Sequence, residues 1–361
     1  MMKNSFLQVT VRTSLIVCVL VSTNCEAKSA LAAASPNLNV TCSSVRAASI
    51  RKPARATTSS RYLMGLPFTE PVPVDILQQD AAQQPVGEPK IGPPLSTGPA
   101  KLNPDDVQLY PPPPEDIEAN RPDIPHGRLQ MISYYSKTVG TRRRMNVYTP
   151  PGYNSKNKYP VLYLLHGIGG DETEWERFAK PNLLLDNLLA EKKAVPMIIV
   201  MPNGRAQKDD RPVGNIYAAA PAFAAFEQDL LKDVIPTIQA RYSVQVDQEH
   251  RALAGLSMGG GQSLDFGLEH LELFAWIGAF SPAPNTYPPA QLVPNPSAAS
   301  RALKLLWLSC GTNDGLFHIS ENLHLYLKQH NVPHVWSVSD RTHDPIEWRN
   351  NLYYFLQRVF K

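Results

Sequence analysis

Residues 254–263 read AGLSMGGGQS and place a serine between two glycines, in the pattern Gly-x-Ser-x-Gly. Such a stretch either holds a nucleophilic serine or is only a glycine-rich turn. A nucleophile of this kind stands on a tight turn between a strand and a helix. Gly255 and Gly259 lack the side chains that would keep the strand and the helix apart. Ser257 follows the apolar run RALAGL and precedes a helix-length stretch. The five-residue pattern alone is weak evidence, but this setting predicts a catalytic serine.

A serine nucleophile needs a base to take its proton and an acid to orient that base. In one large class of hydrolases the partners follow in the order serine, acid, histidine, each in a loop after a strand. Asp314, in GTNDG, follows the apolar run LKLLWLSC, and His343, in RTHDP, follows PHVWSVSD. Asn-Asp-Gly is also strong turn chemistry, so Asp314 could instead be a turn or cap residue. The order predicts Ser257 as nucleophile, Asp314 as acid and His343 as base.

Other acids and histidines fit these roles less well. Asp340 and Asp344 stand too near His343 in the sequence to lie on the preceding strand's loop, and Asp344 is better placed to cap the final helix. Three of the remaining histidines precede or enter strands, namely His126, His334 and His250. Four lie on helices or their edges, namely His270, His318, His324 and His330. The last, His166, follows an early strand.

A tetrahedral intermediate also needs an oxyanion hole. One backbone N–H should come from Met258, the residue after the nucleophile. Another should come from the loop LLHGIGGDETEW, where Ile168 is the candidate donor. His166 is interpreted as a loop-stabilising side chain, because its position is wrong for the triad order.

The elements that must position these residues begin near residue 122. Two runs that alternate polar and apolar residues, GRLQMISYYS and RRRMNVYTP, predict an antiparallel hairpin. Six short apolar runs then alternate with helix-length stretches. This order predicts an α/β protein with a mostly parallel sheet and helices on both faces, and it suits an α/β-hydrolase.

Composition excludes several other classes of function. The chain has 361 residues, 43% of them hydrophobic and 19% charged, which suits a large domain with a tail or two modest domains. The net charge of +3 gives no reason to expect nucleic acid as a partner. Neither His-Glu-x-x-His nor Cys-x-x-Cys occurs, and no Gly-x-Gly-x-x-Gly fingerprint is present, so the sequence predicts no metal and no cofactor.

The N-terminal residues 1–27 read as a signal peptide. Lys3 and Arg12 precede the apolar run LIVCVLV, which is too short to span a membrane, and CEA resembles a cleavage site. We therefore expect a secreted or periplasmic protein with no membrane span in the mature chain. Cys25 leaves a lipoprotein as an alternative, and cleavage near Ala27 would leave only Cys42 and Cys310, too few for a disulfide framework.

Residues 28–121 are rich in Ala, Ser, Gln and Pro, with pieces such as KIGPPLSTGPAKLNP and YPPPPED. A segment of this kind buries little apolar surface to offset its ordering entropy. We expect a disordered tail that serves as a spacer, with docking on a polymer or partner as the alternative, followed by an α/β-hydrolase domain over 122–361.

The domain resembles a known family in several ordered motifs: VYTPPGY, YPVLYLLHGIGGDETEW, IIVMPNG, HRALAGLSMGGGQSLDFGL, CGTND and HDPIEW. It is similar to the esterase D-like "putative esterase" family, and within it to feruloyl esterases attached to xylanases. The resemblance covers about residues 122–361 and implies the same triad, Ser257, Asp314 and His343, with Ile168 and Met258 as oxyanion donors.

The resemblance implies a serine carboxylesterase acting on hydroxycinnamoyl (feruloyl) esters of plant-wall polysaccharide. Acetylxylan esterases, enterochelin esterases and acyltransferases share this scaffold and stay open as alternatives, and so does an exported binding protein with a vestigial triad. Arg341 and Thr342 stand where similar esterases often carry glycines, which bears on acyl preference. Trp175 and Trp348 are candidates for the substrate pocket, with a core position as the alternative. The segment 205–222 is expected at the pocket rim, and the oligomeric state is not predicted.

Overall fold

The computed structural model describes residues 101–361. The predicted signal peptide and residues 28–100 of the predicted tail lie outside the described residues. Within the described part, no helix is both long enough and apolar enough to cross a membrane.

One eight-stranded sheet forms the centre of the domain. Its spatial order is β1-β2-β4-β3-β5-β6-β7-β8. β2 is antiparallel to both of its neighbours, and every other pairing is parallel. This confirms the predicted hairpin and the predicted α/β-hydrolase class of fold. The strands are β1 (Arg128–Ser136), β2 (Thr141–Thr149), β3 (Val161–Leu165), β4 (Ile198–Pro202), β5 (Arg251–Leu256), β6 (Trp276–Phe280), β7 (Leu305–Gly311) and β8 (Val335–Ser339).

Nine α-helices connect or follow the strands in the described residues. They are α1 (Glu174–Phe178), α2 (Pro181–Ala190), α3 (Ala220–Asp229), α4 (Ile235–Arg241), α5 (Ser257–Glu269), α6 (Pro289–Leu292), α7 (Pro296–Ala302), α8 (Phe317–Gln329) and α9 (Pro345–Leu356). A π-helical turn, Leu230–Val234, joins α3 to α4.

The apolar runs predicted as strands are buried because the sheet is covered on both faces. In β3, Leu162 and Leu164 belong to one core cluster, whereas Val161, Tyr163 and Leu165 belong to another. Successive side chains of a strand point to opposite faces, so the two clusters lie on opposite sides of the sheet. The first cluster includes side chains of α9, and the second includes side chains of α3 and α4.

Residues 101–121, which we call the N-terminal strap, depart from the predicted disordered tail. Ile117 is buried in the core cluster that contains α9, and the side chain of Asn187 donates a hydrogen bond of 3.0 Å to the Ile117 carbonyl. Trp336 Nε1 donates to Asp106 Oδ1 at 2.8 Å. These contacts hold this part of the tail on the domain. The proline-rich composition gave no sign of them, because only a few side chains make them.

Candidate active site

Ser257 stands on the tight turn that its glycines predicted. It follows the last residue of β5, begins α5 and has a φ of 50°, a left-handed conformation that is strained for a residue with a side chain. A Cβ atom added at Gly255 would lie 2.5 Å from the carbonyl oxygen of Gly259. One added at Gly259 would lie 2.5 Å from the carbonyl oxygen of His166. Both glycines are therefore required by close backbone approach, and the turn projects the serine from the carboxyl end of β5.

Ser257, His343 and Asp314 form one continuous hydrogen-bonded chain. His343 Nε2 lies 2.9 Å from Ser257 Oγ, and His343 Nδ1 lies 2.8 Å from Asp314 Oδ2. A neutral imidazole that donates its Nδ1–H to Asp314 leaves Nε2 free to accept the serine proton. The structure therefore brings together the three residues that the sequence predicted.

Asp314 is fully buried and keeps its negative charge. Burial by itself raises the pKa of this carboxyl, but the charge and hydrogen bond of His343 and the Leu316 N–H lower the pKa below its usual range. The thiol of Cys310 lies 3.4 Å from Asp314 Oδ2, and burial raises the pKa of that thiol. The buried anion is available to stabilise an imidazolium at His343.

The loops that carry Asp314 and His343 follow the neighbouring strands β7 and β8 and are bonded to each other. Thr312 N–H donates to the Ser339 carbonyl at 2.8 Å, and Asn313 N–H donates to the Arg341 carbonyl at 3.0 Å. These backbone bonds set the relative position of the acid and the base.

Arg341 and Thr342, which precede His343 in its loop, are held by Asp344. The Nε of Arg341 donates to Asp344 Oδ1 at 3.0 Å, and the Thr342 hydroxyl donates to Asp344 Oδ2 at 2.9 Å. Asp344 also caps α9 by accepting from the N–H groups of Ile346 and Glu347, as its sequence position predicted. The carboxylate therefore organises both the loop and the helix start.

The loop after β3, which carries the candidate oxyanion donor Ile168, passes beside Ser257 at Gly167. A Cβ atom added at Gly167 would lie 3.3 Å from Ser257 Cβ. The Gly167 carbonyl accepts from His166 Nδ1 at 2.7 Å and from the Gly170 N–H at 3.1 Å. In a planar trans peptide the N–H points away from the C=O. Because the Gly167 carbonyl faces His166 and the Gly170 N–H, the Ile168 N–H points away from both of these groups.

The other candidate oxyanion donor, Met258, lies in the first turn of α5. N–H groups in the first turn of a helix have no intrahelical acceptor and can bind an anion. The Gly167 N–H, in contrast, is occupied, because it donates to Glu174 Oε2 at 2.7 Å. Ile168 and Met258 therefore remain the candidate oxyanion donors.

His166 packs under this loop. Its Nε2 accepts from the Gly204 N–H at 2.8 Å, which leaves Nδ1 as the donor to Gly167. Burial and the nearby Arg205 lower the pKa of His166 to about 4, so the ring is neutral at ordinary pH. Arg205 Nη1 in turn donates to the Gly170 carbonyl at 3.2 Å. The contacts agree with the loop-stabilising role predicted for His166, whereas the sequence gave no reason to single out Arg205.

A family model described as "Putative esterase" matches residues 136–352 of this chain. The chain belongs to this esterase family. The comparisons support a carboxylic ester hydrolase of the α/β-hydrolase fold.

Two curated proteins are similar in sequence to this esterase. It is 34% identical over 255 residues to the endo-1,4-beta-xylanase/feruloyl esterase of Xylanibacter ruminicola, a match that covers 68% of this chain and 33% of that protein. It is 31% identical over 156 residues to an esterase of Mycobacterium tuberculosis, covering 43% of this chain and 32% of that protein. The matched region thus spans about a third of the length of these relatives.

Solved structures of a ferulic acid esterase from Anaeromyces mucronatus resemble this esterase at 27% identity and a TM-score of 0.61. The unliganded structure covers 68% of this chain and 96% of that protein. A second structure of that protein holds ferulic acid and covers 70% of this chain and 98% of that protein.

An apolar cluster lies beside the serine of this esterase. Ile168 and Met258, the candidate oxyanion residues, pack with Leu316, which lies two residues after Asp314. The remaining members of the cluster are Phe223, Ala283, Ala220 and Ile319. Ala220 belongs to the segment predicted at the pocket rim. Sequence reasoning missed Phe223, Ala283 and Leu316, because nothing in their local pattern separates them from ordinary core residues.

Trp175 and Trp348 do not form an open pocket wall. Trp175 is 1% exposed and donates from Nε1 to the Leu165 carbonyl at 2.9 Å. Trp348 is 6% exposed and its ring packs edge-on against the His343 ring, with 5.0 Å between the centroids. The structure favours the core position that the sequence left as the alternative, and Trp348 supports the histidine.

Two groups of acidic and histidine side chains in the described residues are close enough together to suit a cation, and neither contains a triad residue. One is Asp105, Asp106 and His324, and the other is Glu227, Glu269 and His270. In the first, Asp105 already pairs with His324 and Lys328, and Asp106 binds Trp336. In the second, His270 already pairs with Glu227. Both groups thus contain side chains that already bind other residues of the protein.

Proposed function

We propose that this esterase acts through Ser257 as nucleophile, His343 as general base and acid, and Asp314 as the acid that orients His343. Ser257 Oγ attacks the ester carbonyl carbon while its proton passes to His343 Nε2. The carbonyl oxygen becomes an oxyanion, which accepts hydrogen bonds from the Ile168 and Met258 N–H groups. His343 then gives its proton to the leaving alcohol oxygen, and an acyl-enzyme remains.

Deacylation repeats these steps with water. A water molecule gives a proton to His343 Nε2 as its oxygen attacks the acyl carbon. Collapse of the intermediate releases the carboxylic acid, and the proton returns from His343 to Ser257 Oγ. The observation that carries this mechanism is the hydrogen-bonded chain from Ser257 Oγ through both ring nitrogens of His343 to Asp314.

We propose a hydroxycinnamoyl ester, such as a feruloyl ester of plant-wall polysaccharide, as the substrate. The apolar cluster beside Ser257 supports an acyl group with a flat apolar body, because burial of apolar surface stabilises the bound ester. The name of the Xylanibacter relative and the ferulic acid bound to the Anaeromyces enzyme support the same class.

Export to the periplasm or the medium is part of this proposal. It rests on the pattern of residues 1–27 and on the substrate class, since a wall polysaccharide lies outside the cell. Fractionation of a producing cell, with N-terminal sequencing of the mature protein, tests it. A protein that keeps residue 1 and stays in the cytosol would contradict export.

Hydrolysis of methyl ferulate and of p-nitrophenyl acetate by the wild type and Ser257→Ala tests the reaction and the substrate separately. Loss of a triad serine should lower turnover by about 10⁴-fold or more for both esters. Ser263→Ala is the matched control, since this buried serine of α5 donates only to the Gly259 carbonyl, at 2.7 Å.

Ferulate release by the wild type that Ser257→Ala abolishes supports both parts of the proposal. Cleavage of the acetate alone keeps the mechanism and rejects the hydroxycinnamoyl substrate in favour of acetylated sugars or siderophore esters. Activity that survives in Ser257→Ala rejects the triad.

A further inference from the structure

The loop that carries His343 joins β8 to α9, and one buried side chain binds both of its ends. Glu347 lies in the first turn of α9 and is 1% exposed. Its Oε2 accepts from the hydroxyl of Ser339, the last residue of β8, at 2.6 Å. The Ser339 hydroxyl oxygen also accepts from the Arg341 N–H at 3.2 Å, inside the loop. Glu347 therefore connects the start of the loop, and a residue within it, to the helix that follows.

The same carboxylate is anchored on the side away from the loop. Its Oε1 accepts from Asn351 Nδ2 at 2.7 Å, and Asn351 Oδ1 accepts from Trp307 Nε1 at 3.2 Å. Trp307 belongs to β7 and to the main core cluster. Because both oxygens of Glu347 are bonded, the carboxylate has a defined position relative to the sheet.

The next residue, Trp348, contacts the base directly. Its ring meets the His343 ring at an interplanar angle of 82°, with centroids 5.0 Å apart. The first turn of α9 thus supports His343 in two ways: through the backbone of the loop and by ring contact with Trp348.

An acidic residue in the first turn of a helix often serves only to stabilise the helix dipole. That role suits an exposed glutamate, but Glu347 is buried and no cationic side chain among the described residues pairs with it. The charges of Asp344 and Asp314 act on this carboxyl, and its own charge acts on the thiol of Cys310. Burial and the charges of Asp344 and Asp314 raise the pKa of Glu347 to about 7. A buried carboxyl without a cation costs stability, so its contacts point to a role in the site.

We propose that Glu347 is a positioning residue for the base: through Ser339 it ties the two ends of the His343 loop and holds Nε2 within reach of Ser257 Oγ. The inference rests on the proposed function in taking His343 as the base. Glu347 touches neither Ser257 nor the ester, so its loss should disturb proton transfer more than substrate binding.

The test compares Glu347→Ala, Glu347→Gln and the control Ile346→Ala on p-nitrophenyl acetate, with the thermal stability of each variant measured in parallel. In Glu347→Ala, kcat should fall by about tenfold or more while KM changes by less than about threefold, because a misplaced base costs proton transfer. Glutamine is nearly isosteric and can bind Ser339 and Asn351, so Glu347→Gln should recover kcat to within about threefold. Ile346 is 39% exposed in the same turn, and its alanine variant should behave as the wild type.

A second measurement does not depend on turnover. The proton shared by His343 Nδ1 and Asp314 should give a far-downfield NMR resonance in the wild type and in Glu347→Gln, and Glu347→Ala should lose it through exchange with water. An inactive wild type that shows this pattern would reject the proposed function and keep the positioning role.

The proposal is overturned if folded Glu347→Ala keeps the wild-type kcat and resonance, or if Glu347→Gln is as defective as Glu347→Ala. Should Glu347→Ala fail to fold, Ser339→Ala removes the same hydrogen bond, the one between the Ser339 hydroxyl and Glu347, by a change in β8. It should lower kcat in the same selective way, and an unchanged kcat in that variant also overturns the proposal.

Discussion

His343 Nδ1 lies 2.8 Å from Asp314 Oδ2, although 29 residues separate the two along the chain. The contact forms because β7 and β8 are parallel neighbours, so that the loops after them leave the same edge of the sheet. It makes Nδ1 the donor nitrogen and leaves Nε2 to accept from Ser257.

Asp314→Asn should therefore abolish most of the activity with little loss of structure. An amide that turns its NH₂ group to Nδ1 favours the wrong tautomer of His343, and kcat should fall by about 10⁴-fold. Steady-state kinetics with p-nitrophenyl acetate measures this. Asp340→Asn is the control, because Asp340 is exposed and is one of the two competing acids in the sequence. A larger defect in Asp340→Asn than in Asp314→Asn would reverse the assignment.

His166→Ala should impair the oxyanion hole rather than the triad. Without the donor to the Gly167 carbonyl, the peptide that bears the Ile168 N–H is free to rotate, and kcat should fall by about 10²-fold with a smaller change in KM. The exposed His330 provides the control, His330→Ala. Equal losses in kcat and in binding of a phosphonate analogue would agree with an oxyanion defect, whereas an unchanged kcat would contradict it.

Tyr110→Ala should destabilise the domain by releasing the N-terminal strap. The Tyr110 ring stacks on Trp307 at 5.5 Å and on Tyr354 at 4.7 Å between centroids, and the Arg358 guanidinium lies 4.3 Å from its centroid. Loss of these contacts should lower the free energy of unfolding by about 2 kcal/mol.

Urea unfolding of Tyr110→Ala beside Leu109→Ala measures the contribution of the strap, since Leu109 is 47% exposed. A loss of stability in Tyr110→Ala alone supports docking of the strap. Equal stabilities of the two variants would contradict it.

Glu347→Gln should change how stability depends on pH. The folded protein holds the Glu347 proton up to a pKa of about 7, whereas the unfolded chain releases it near 4.5. The free energy of unfolding of the wild type therefore falls as pH rises through this window, and the variant lacks this contribution. The stability of Glu347→Gln relative to the wild type should rise by about 3 kcal/mol between pH 4.5 and 7.

Denaturant unfolding at several pH values across that window tests the shift. Glu115→Gln, at an exposed position of the strap, is the control for the exchange of a glutamate for a glutamine. A difference between Glu347→Gln and the wild type that stays constant with pH would mean that the Glu347 carboxyl titrates alike in the folded and unfolded states.

The local sequence pattern was sufficient to predict the strands, the hairpin and the order in which the proposed triad residues follow one another. A nucleophile turn leaves a signal within five residues, because Gly255 and Gly259 are required by contacts only a few bonds away. The buried strands leave continuous apolar runs, since both faces of the sheet are covered. Asp314 and His343 were recognisable because each follows such a run.

Only the tertiary structure decided how distant residues meet. Leu316 and Phe223 pack in one cluster with Met258, Trp175 and Trp348 are buried, and Tyr110 of a proline-rich segment packs on the domain. Glu347 has the sequence position of an ordinary first-turn acid, and its burial beside Asp314 depends on how α9 packs on β7. These contacts join residues far apart in the chain, and their energies depend on burial and neighbouring charge, which no local pattern contains.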